Sequence, residues 1–240
     1  MIADTHYPYI NKKAVKIMLD ITRDVEPDYF INLGDSLDYS QISLKYANNM
    51  PKKIENIYLD SDYTGFQRDI LDPLHNILSD NCKKVFIKGN HEERVDRYLQ
   101  YYPTNTGLIE PENNLELGDW NIIPYKQHYK LGNTVYTHGT YHNKYHAFSH
   151  ISLYGMNVIY GHLHSHQVFT NQTPINKEPL TAMSIGCLCD LNPHYDRNAP
   201  NRWTNQMLVF YKEGNKQFNQ VITFKGNSRV RTIFNGKLYC

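Results

Sequence analysis

The sequence predicts an α/β fold: two packed sheets, each covered by helices, in a four-layer α/β/β/α sandwich of two mixed β-sheets. Three observations predict it. Strand-like runs alternate with helical periods over the first half of the chain, and the second half is mostly strand-like. The 240 residues, 40% hydrophobic and 20% charged, suffice for one large core of ordinary globular composition. Five strand-like segments stop at a polar residue: Asp4, Asp35, Asn90, His138 and His162. Ligands of α/β sheets bind in the crevice beyond the carboxyl ends of the strands, so five such ends can serve one place.

The elements follow in order. "MIAD" is the stub of a strand ending at Asp4. Ala14, Ile17, Met18 and Ile21 have helical spacing over 11–24, and Pro27 closes that segment. "DYFINLGD" (28–35) is a strand entering a glycine turn. Residues 41–64 read as an irregular insertion over the site. Phe66, Ile70, Leu74, Ile77 and Leu78 predict a helix over 66–80. "KVFIKGN" (84–90) is a second strand into a glycine turn, and a helix follows over 91–102, ended by Pro103. "TVYTHG" (134–139) is a strand ending in histidine, with a helix over 141–153 after it. "NVIYGHLHSH" then ends a strand in three alternating histidines; alternate residues of an extended segment share a face. "TAMSIGCL" (181–188), "NQMLVFYK" (205–212) and "FNQVITF" (218–224) are strands, "DLNPHYDRNAPNRW" is a long loop, and the last fifteen residues are a short strand and tail. No repeat or interdomain linker interrupts the chain, which reads as one domain over 1–240.

Composition excludes some classes. A formal net charge of +1 provides no global basic field to hold nucleic acid, though a local patch stays open. No apolar run reaches the length of a membrane span, and no signal-peptide core opens the chain, so no membrane partner is expected. The four cysteines, Cys82, Cys187, Cys189 and Cys240, lack zinc-finger spacing and fit a reducing compartment. Cys187 and Cys189 sit in an apolar stretch and read as buried packing rather than as a metal pair.

The polar residues at and near the strand ends form a donor set. "ADTHY" supplies Asp4 and His6, "LGDSLD" supplies Asp35 and Asp38, and "KGNHEER" supplies Asn90 and His91. "YTHG" adds His138, and "YGHLH" adds His162 and His164. Carboxylate oxygen, imidazole nitrogen and an amide oxygen suit Mn²⁺, Fe or Zn²⁺ better than Ca²⁺ or a thiol-loving metal. The donors are too many for one ion and about enough for two.

These elements resemble the calcineurin-like metallophosphoesterases, whose pattern reads D-x-H, G-D-x-x-D, G-N-H-E/D, H and G-H-x-H. Here they stand in that order as Asp4-Thr5-His6, Gly34-Asp35-Ser36-Leu37-Asp38, Gly89-Asn90-His91-Glu92, His138-Gly139 and Gly161-His162-Leu163-His164. Each element is a weak signal alone, and five in order at strand ends are a strong one. "IGCLCDLNP" is similar to the second-sheet region of phage and bacterial members. The resemblance implies a hydrolase with two divalent ions, Mn²⁺ foremost. Asp4, His6 and His164 would hold one ion, Asn90, His138 and His162 the other, and Asp35 would bridge both. Such a pair would attract phosphate and lower the pKa of a bridging water, so that a metal-bridging hydroxide attacks the phosphoester. His91 would protonate the leaving oxygen, and Asp38 would hydrogen-bond His91 and keep it charged and oriented. Arg94 has two readings: a phosphate contact, or a pair with a surface acid.

The substrate class is narrowed by departures from the family. Serine/threonine protein phosphatases of the superfamily read G-D-x-x-D-R-G and D-x-H-G, whereas Tyr39 and Tyr7 stand here in place of that arginine and glycine. Repair nucleases of the superfamily usually carry an added DNA-binding domain, and this chain ends at 240. "DRNAPNR" (196–202), Trp203 and "KGNSRVR" (225–231) offer arginine and aromatic contacts to nucleic acid, or are ordinary loop residues. The expectation is a stand-alone phosphoesterase of nucleotides or nucleic-acid ends in the cytoplasm, that of the host if the chain is phage-encoded. A catalytically inactive protein-binding scaffold of the same fold, a domain whose ions only stabilise it, and a protein phosphatase are the alternatives. His166 has no place in the metal pattern and reads as a rim residue. His142, His146 and His150, four apart, read as an exposed or capping helix face rather than a zinc site.

Overall fold

The computed structural model describes residues 1–43, 58–175, 178–193, 200–226 and 228–240. Alternation within single strands sets the layers. β1 (Tyr29–Asn32), β2 (Lys83–Ile87) and β3 (Trp120–Ile123) form a parallel sheet in that order. Phe30 and Phe86 turn to one face, into a cluster with Ile17, Met18 and Ile21 of α1 (Lys12–Val25). Their neighbours Ile31, Val85 and Ile87 belong to a second cluster, shared with Tyr136 and Ile159 of the other sheet. That sheet has the order β4 (Tyr129–Leu131), β5 (Thr134–Thr137), β6 (Asn157–Tyr160), β8 (Leu180–Ser184) and β7 (Gln167–Asn171). Val135 and Val158 face away from the first sheet and cluster with Ala147 and Ile151 of α6 (His146–Tyr154). One apolar cluster therefore lies between the sheets and one under each helical layer, which is the expected α/β/β/α order, although only the five-stranded sheet is mixed and β1–β3 is all parallel. Each fully buried aliphatic or phenyl side chain contributes about 1.5–3 kcal/mol relative to exposure.

The first residues run along the free edge of β1 and join it to a later hairpin. Ile2 bridges Asn32 in parallel. Met1 exchanges backbone hydrogen bonds of 2.9 and 3.1 Å with Leu208 of β9 (Gln206–Glu213), which forms a hairpin with β10 (Lys216–Thr223). This fixes Asp4 between the ends of both sheets. Helix α1 starts where Asn11 accepts a hydrogen bond from the Ala14 amide and ends at Glu26, in the left-handed conformation.

Several expectations change. Of the 41–64 insertion, 44–57 lie outside the described residues, and its end is not irregular: α2 (Leu59–Phe66) is helical. Asp60 and Asp62 in its first turn suit the helix dipole. Tyr63 and Phe66 continue the buried stripe of Ile70, Leu71 and Leu74 through a π turn (Gln67–Leu71) into α3 (Asp72–Ile77). Strands β3, β4 and β7 were not expected. All three are sheet edges and lack the clear apolar alternation of the central strands, as the mostly exposed β7 shows. The tail is a hairpin of β11 (Thr232–Phe234) and β12 (Lys237–Tyr239). Helices α4 (Glu93–Tyr101) and α5 (Pro111–Asn114) lie between β2 and β3, and α6 begins at His146 rather than 141. No helix among the described residues is long and apolar enough to cross a membrane.

Candidate metal centre

Backbone strain is concentrated where the strands end. Among the described residues, nine non-glycine residues have positive φ, and five of them are Asp4 (53°), His6 (47°), Asp35 (50°), His162 (75°) and His164 (55°). Such conformations cost on the order of 1–3 kcal/mol each and persist where the surroundings over-determine them, characteristically at functional sites. They also correct the expected reason for the alternating histidines. β6 stops at Tyr160, and His162 and His164 reach the crevice from a left-handed turn, not from an extended strand. His166 leaves it, its Nδ1 2.8 Å from the Ser184 carbonyl oxygen. Two glycines permit the approach of the loops. A Cβ at Gly89 would lie 2.2 Å from Asp35 Oδ1, and one at Gly161 would lie 2.8 Å from Asp4 Oδ2.

The seven expected ligands meet in two groups that share one atom. In the first, His6 Nε2 lies 2.9 Å from His164 Nε2 and 3.7 Å from Asp35 Oδ2, and His164 Nε2 lies 3.7 Å from Asp4 Oδ1. In the second, His138 Nε2 lies 2.9 Å from Asn90 Oδ1, 3.1 Å from His162 Nδ1 and 3.3 Å from Asp35 Oδ2. Asp35 Oδ2 belongs to both. Asp4–His6–His164 and Asp35–His138–His162 are each close enough to hold one metal ion.

The donor set fits a cation. His138 Nδ1 lies 2.8 Å from the Leu33 carbonyl oxygen, an acceptor, so its hydrogen sits there. Its Nε2 lone pair then points at a carboxylate oxygen and an amide oxygen, acceptors all. His6 repeats the arrangement, with Nδ1 3.2 Å from Asp38 Oδ1 and Nε2 turned inward. Converging buried lone pairs repel unless a positive charge lies among them. Protonation responds to the same field. Burial alone would depress His138, yet the Asp35 carboxylate raises it to about 9. Burial would raise Asp35, and His138, His91 and His6 hold it well below the usual carboxylate range. Burial lifts Asp4 well above that range, against the pull of His138. Burial, with His138 adding to it, lowers His162 to about 3.

His91 is held from both sides. Its Nδ1 lies 2.8 Å from the Asp38 carbonyl oxygen and 3.2 Å from Asp38 Oδ1, and its own backbone amide donates to Asp35 Oδ1 at 2.8 Å. Arg94 neither faces solvent alone nor pairs with a surface acid. Its guanidinium donates to the Asp38 carbonyl oxygen at 2.6 Å and to His91 Nε2 at 2.9 Å. Ser40 in turn hydrogen-bonds the Asp38 carboxylate.

Glu92 and His142 were missed from sequence, while Trp203 and Cys189, both named there, lie against the centre. Glu92, 0% exposed, accepts from the backbone amides of Asp35 (2.9 Å), Ser36 (2.8 Å) and Gly89 (2.7 Å), tying two site loops together. Burial and the nearby Asp35 raise its pKa, opposed by those amides. Its place in "GNHE" was the available signal. His142 Nδ1 lies 3.0 Å from His162 Nε2. Trp203 packs edge-to-face against His164, ring centroids 4.2 Å apart. Cys189 Sγ lies 3.9 Å from His164 Nδ1, and Cys187 and Cys189 are buried as expected. His146 and His150 are not an exposed face. His146 Nδ1 lies 2.7 Å from the Tyr160 hydroxyl, and His150 stacks on the Tyr160 ring at 3.8 Å and accepts from the Thr140 amide. They face inward because they lie on the buried face of α6 with Ala147 and Ile151, against Tyr160. Of the arginine-bearing loops, 194–199 and 227 lie outside the described residues, while Arg202 is exposed beside Trp203.

No protein-family model matches the chain. It is similar to the "Gene 54 protein" of Mycobacterium phage L5, 24% identical over 229 residues that span 89% of this chain and 88% of that protein. It is also similar to the "Gene 54 protein" of Mycobacterium phage D29, 24% identical over 232 residues, 90% of this chain and 89% of that protein.

Proposed function

We propose that the protein is a binuclear metal-dependent phosphoesterase of the calcineurin-like metallophosphoesterase family, cleaving a phosphodiester or phosphomonoester, with nucleotides or nucleic-acid ends the favoured substrates. The observation that carries this reading is the shared oxygen: Asp35 Oδ2 lies 3.7 Å from His6 Nε2 and 3.3 Å from His138 Nε2, one atom serving two groups of lone pairs. Asp4, His6, His164 and Asp35 would hold one ion, and Asp35, Asn90, His138 and His162 the other, Mn²⁺ foremost, with Fe and Zn²⁺ suited to the same donors. When bound, the pair would supply Lewis acidity to the phosphate oxygens and lower the pKa of a water.

The chain's own residues have separate tasks. Asp4 and Asp35 bring two negative charges against the four positive charges of two divalent ions, so the centre favours an anionic ester. His91, oriented by Asp38 through Nδ1, would deliver a proton to the leaving oxygen from Nε2, which takes up that proton from solvent once Arg94 has left it for the anion. Arg94 binds an ester oxygen by exchanging its contact with His91 Nε2 for the anion. Trp203, beside His164, offers an aromatic face to a base. The phage relatives and four free cysteines support work in the host cytoplasm.

The test is hydrolysis of bis-p-nitrophenyl phosphate and p-nitrophenyl phosphate by metal-loaded protein, with added Mn²⁺ and then with chelator. Metal-dependent cleavage of the diester supports a phosphodiesterase or nuclease. Cleavage of the monoester alone moves the reading to a phosphatase. No turnover of either, nor of nucleotides or DNA, refutes the enzyme and favours a protein-binding scaffold.

A further inference from the structure

His142 has no place in the ligand pattern, yet it touches the centre. It sits in the exposed loop between β5 and α6, with its Nδ1 3.0 Å from His162 Nε2 and the two rings 4.5 Å apart, tilted by 55°. His162 presents its other nitrogen, Nδ1, to His138 at 3.1 Å. We propose that His142 is a positioning residue that fixes the tautomer and ring orientation of His162 and thereby tightens one of two metal sites. The inference rests on the two-metal reading above and deepens it.

A neutral imidazole carries one N–H, so a His162 that offers the Nδ1 lone pair to an ion must carry its hydrogen on Nε2. That N–H needs an acceptor, and His142 Nδ1 is within hydrogen-bonding distance. The opposite tautomer of His162 would put hydrogen on Nδ1, where the ion belongs. His138 has its partner for the same purpose in the Leu33 carbonyl oxygen, and His6 has the Asp38 carboxylate. His162 has an outer partner of a different kind: an exposed side chain rather than a buried carbonyl or carboxylate. Outer partners of ligating histidines characteristically govern metal affinity by about 10–100-fold. The effect belongs to one group of donors alone, because His142 contacts His162 and not His164. Its exposure also means that truncation opens no cavity in the core.

The experiment is calorimetric titration of metal-free protein with Mn²⁺, repeated with Zn²⁺, for wild type, His142→Ala and His142→Asn. Wild type is expected to take up two ions. His142→Ala weakens one of them by about 10–100-fold and leaves the other unchanged. His142→Asn, whose Oδ1 stands near the lost Nδ1, restores most of the affinity, which a merely structural loop effect would not do. Thermal melts of the three metal-free proteins check that the fold is retained. Equal affinities for both ions in wild type and His142→Ala overturn the proposal and leave the two-metal reading standing. Failure of the wild type to bind two ions overturns that reading, and the proposal with it.

Discussion

Replacing Glu92 with alanine should destabilise the metal-free protein by about 4 kcal/mol. The side chain is fully buried and accepts from the amides of Asp35, Ser36 and Gly89 at 2.7–2.9 Å. Removing it orphans three buried N–H donors, each costing about 1–3 kcal/mol when unsatisfied, or about 3–9 kcal/mol together. Loop relaxation and water entry bring the loss to the lower half of that range. Since a domain is stable by only about 5–15 kcal/mol, the change is a large share of the whole. Glu92→Gln keeps one acceptor oxygen and puts an amide donor against the other amides, so its loss should be smaller, about 2 kcal/mol. The assay is urea unfolding followed by circular dichroism, in chelator, so that metal binding plays no part. A loss below about 1 kcal/mol for Glu92→Ala would refute the clamp, because three unsatisfied buried amides cannot be that cheap.

Further expectations follow from the same geometry. Gly89→Ala would place a Cβ 2.2 Å from Asp35 Oδ1, so Asp35 must shift and uptake of both ions should fall, read by metal analysis after dialysis. His91→Gln should lower turnover by about 10²–10⁴-fold with metal content unchanged; unchanged turnover sinks the proton-donor assignment. Burial lowers His150 to about 4, against the hydrogen bond from its own ring to the His146 carbonyl, from an ordinary value of 6.5. Because its folded pKa is the lower one, this histidine's contribution is present above about pH 6.5 and is lost as pH falls toward 4. The loss should reach about 3 kcal/mol by pH 4, and urea unfolding across that window should be less acid-sensitive in His150→Gln than in wild type.

The sequence by itself determined which polar donors stand at the strand ends and the layer order. Central strands carry their burial in an alternation that survives in one dimension: Phe30 and Ile31, or Val158 and Ile159, face opposite layers because they are neighbours on a pleat. Asp4, His6, Asp35, Asn90, His138, His162 and His164 were readable because each stands in a short local pattern beside a glycine or at a strand end. The edge strands β3, β4 and β7 were not readable, since an edge is half solvated and loses that alternation. The start of α2 was hidden because polar residues precede its first buried aromatic.

Tertiary structure decided everything that depends on partners distant in sequence. Glu92 closes the "GNHE" run, but its role as a clamp exists only because the Asp35 amide, 57 residues away, folds onto it. The equal spacing of His142, His146 and His150 implied one shared face, yet the helix begins at His146: two imidazoles lie on its buried face with Ala147 and Ile151, and the third stands in the preceding loop against His162. The physical reason is the same in each case: a hydrogen bond needs a donor and an acceptor within about 3 Å, and only the folded chain brings such pairs together.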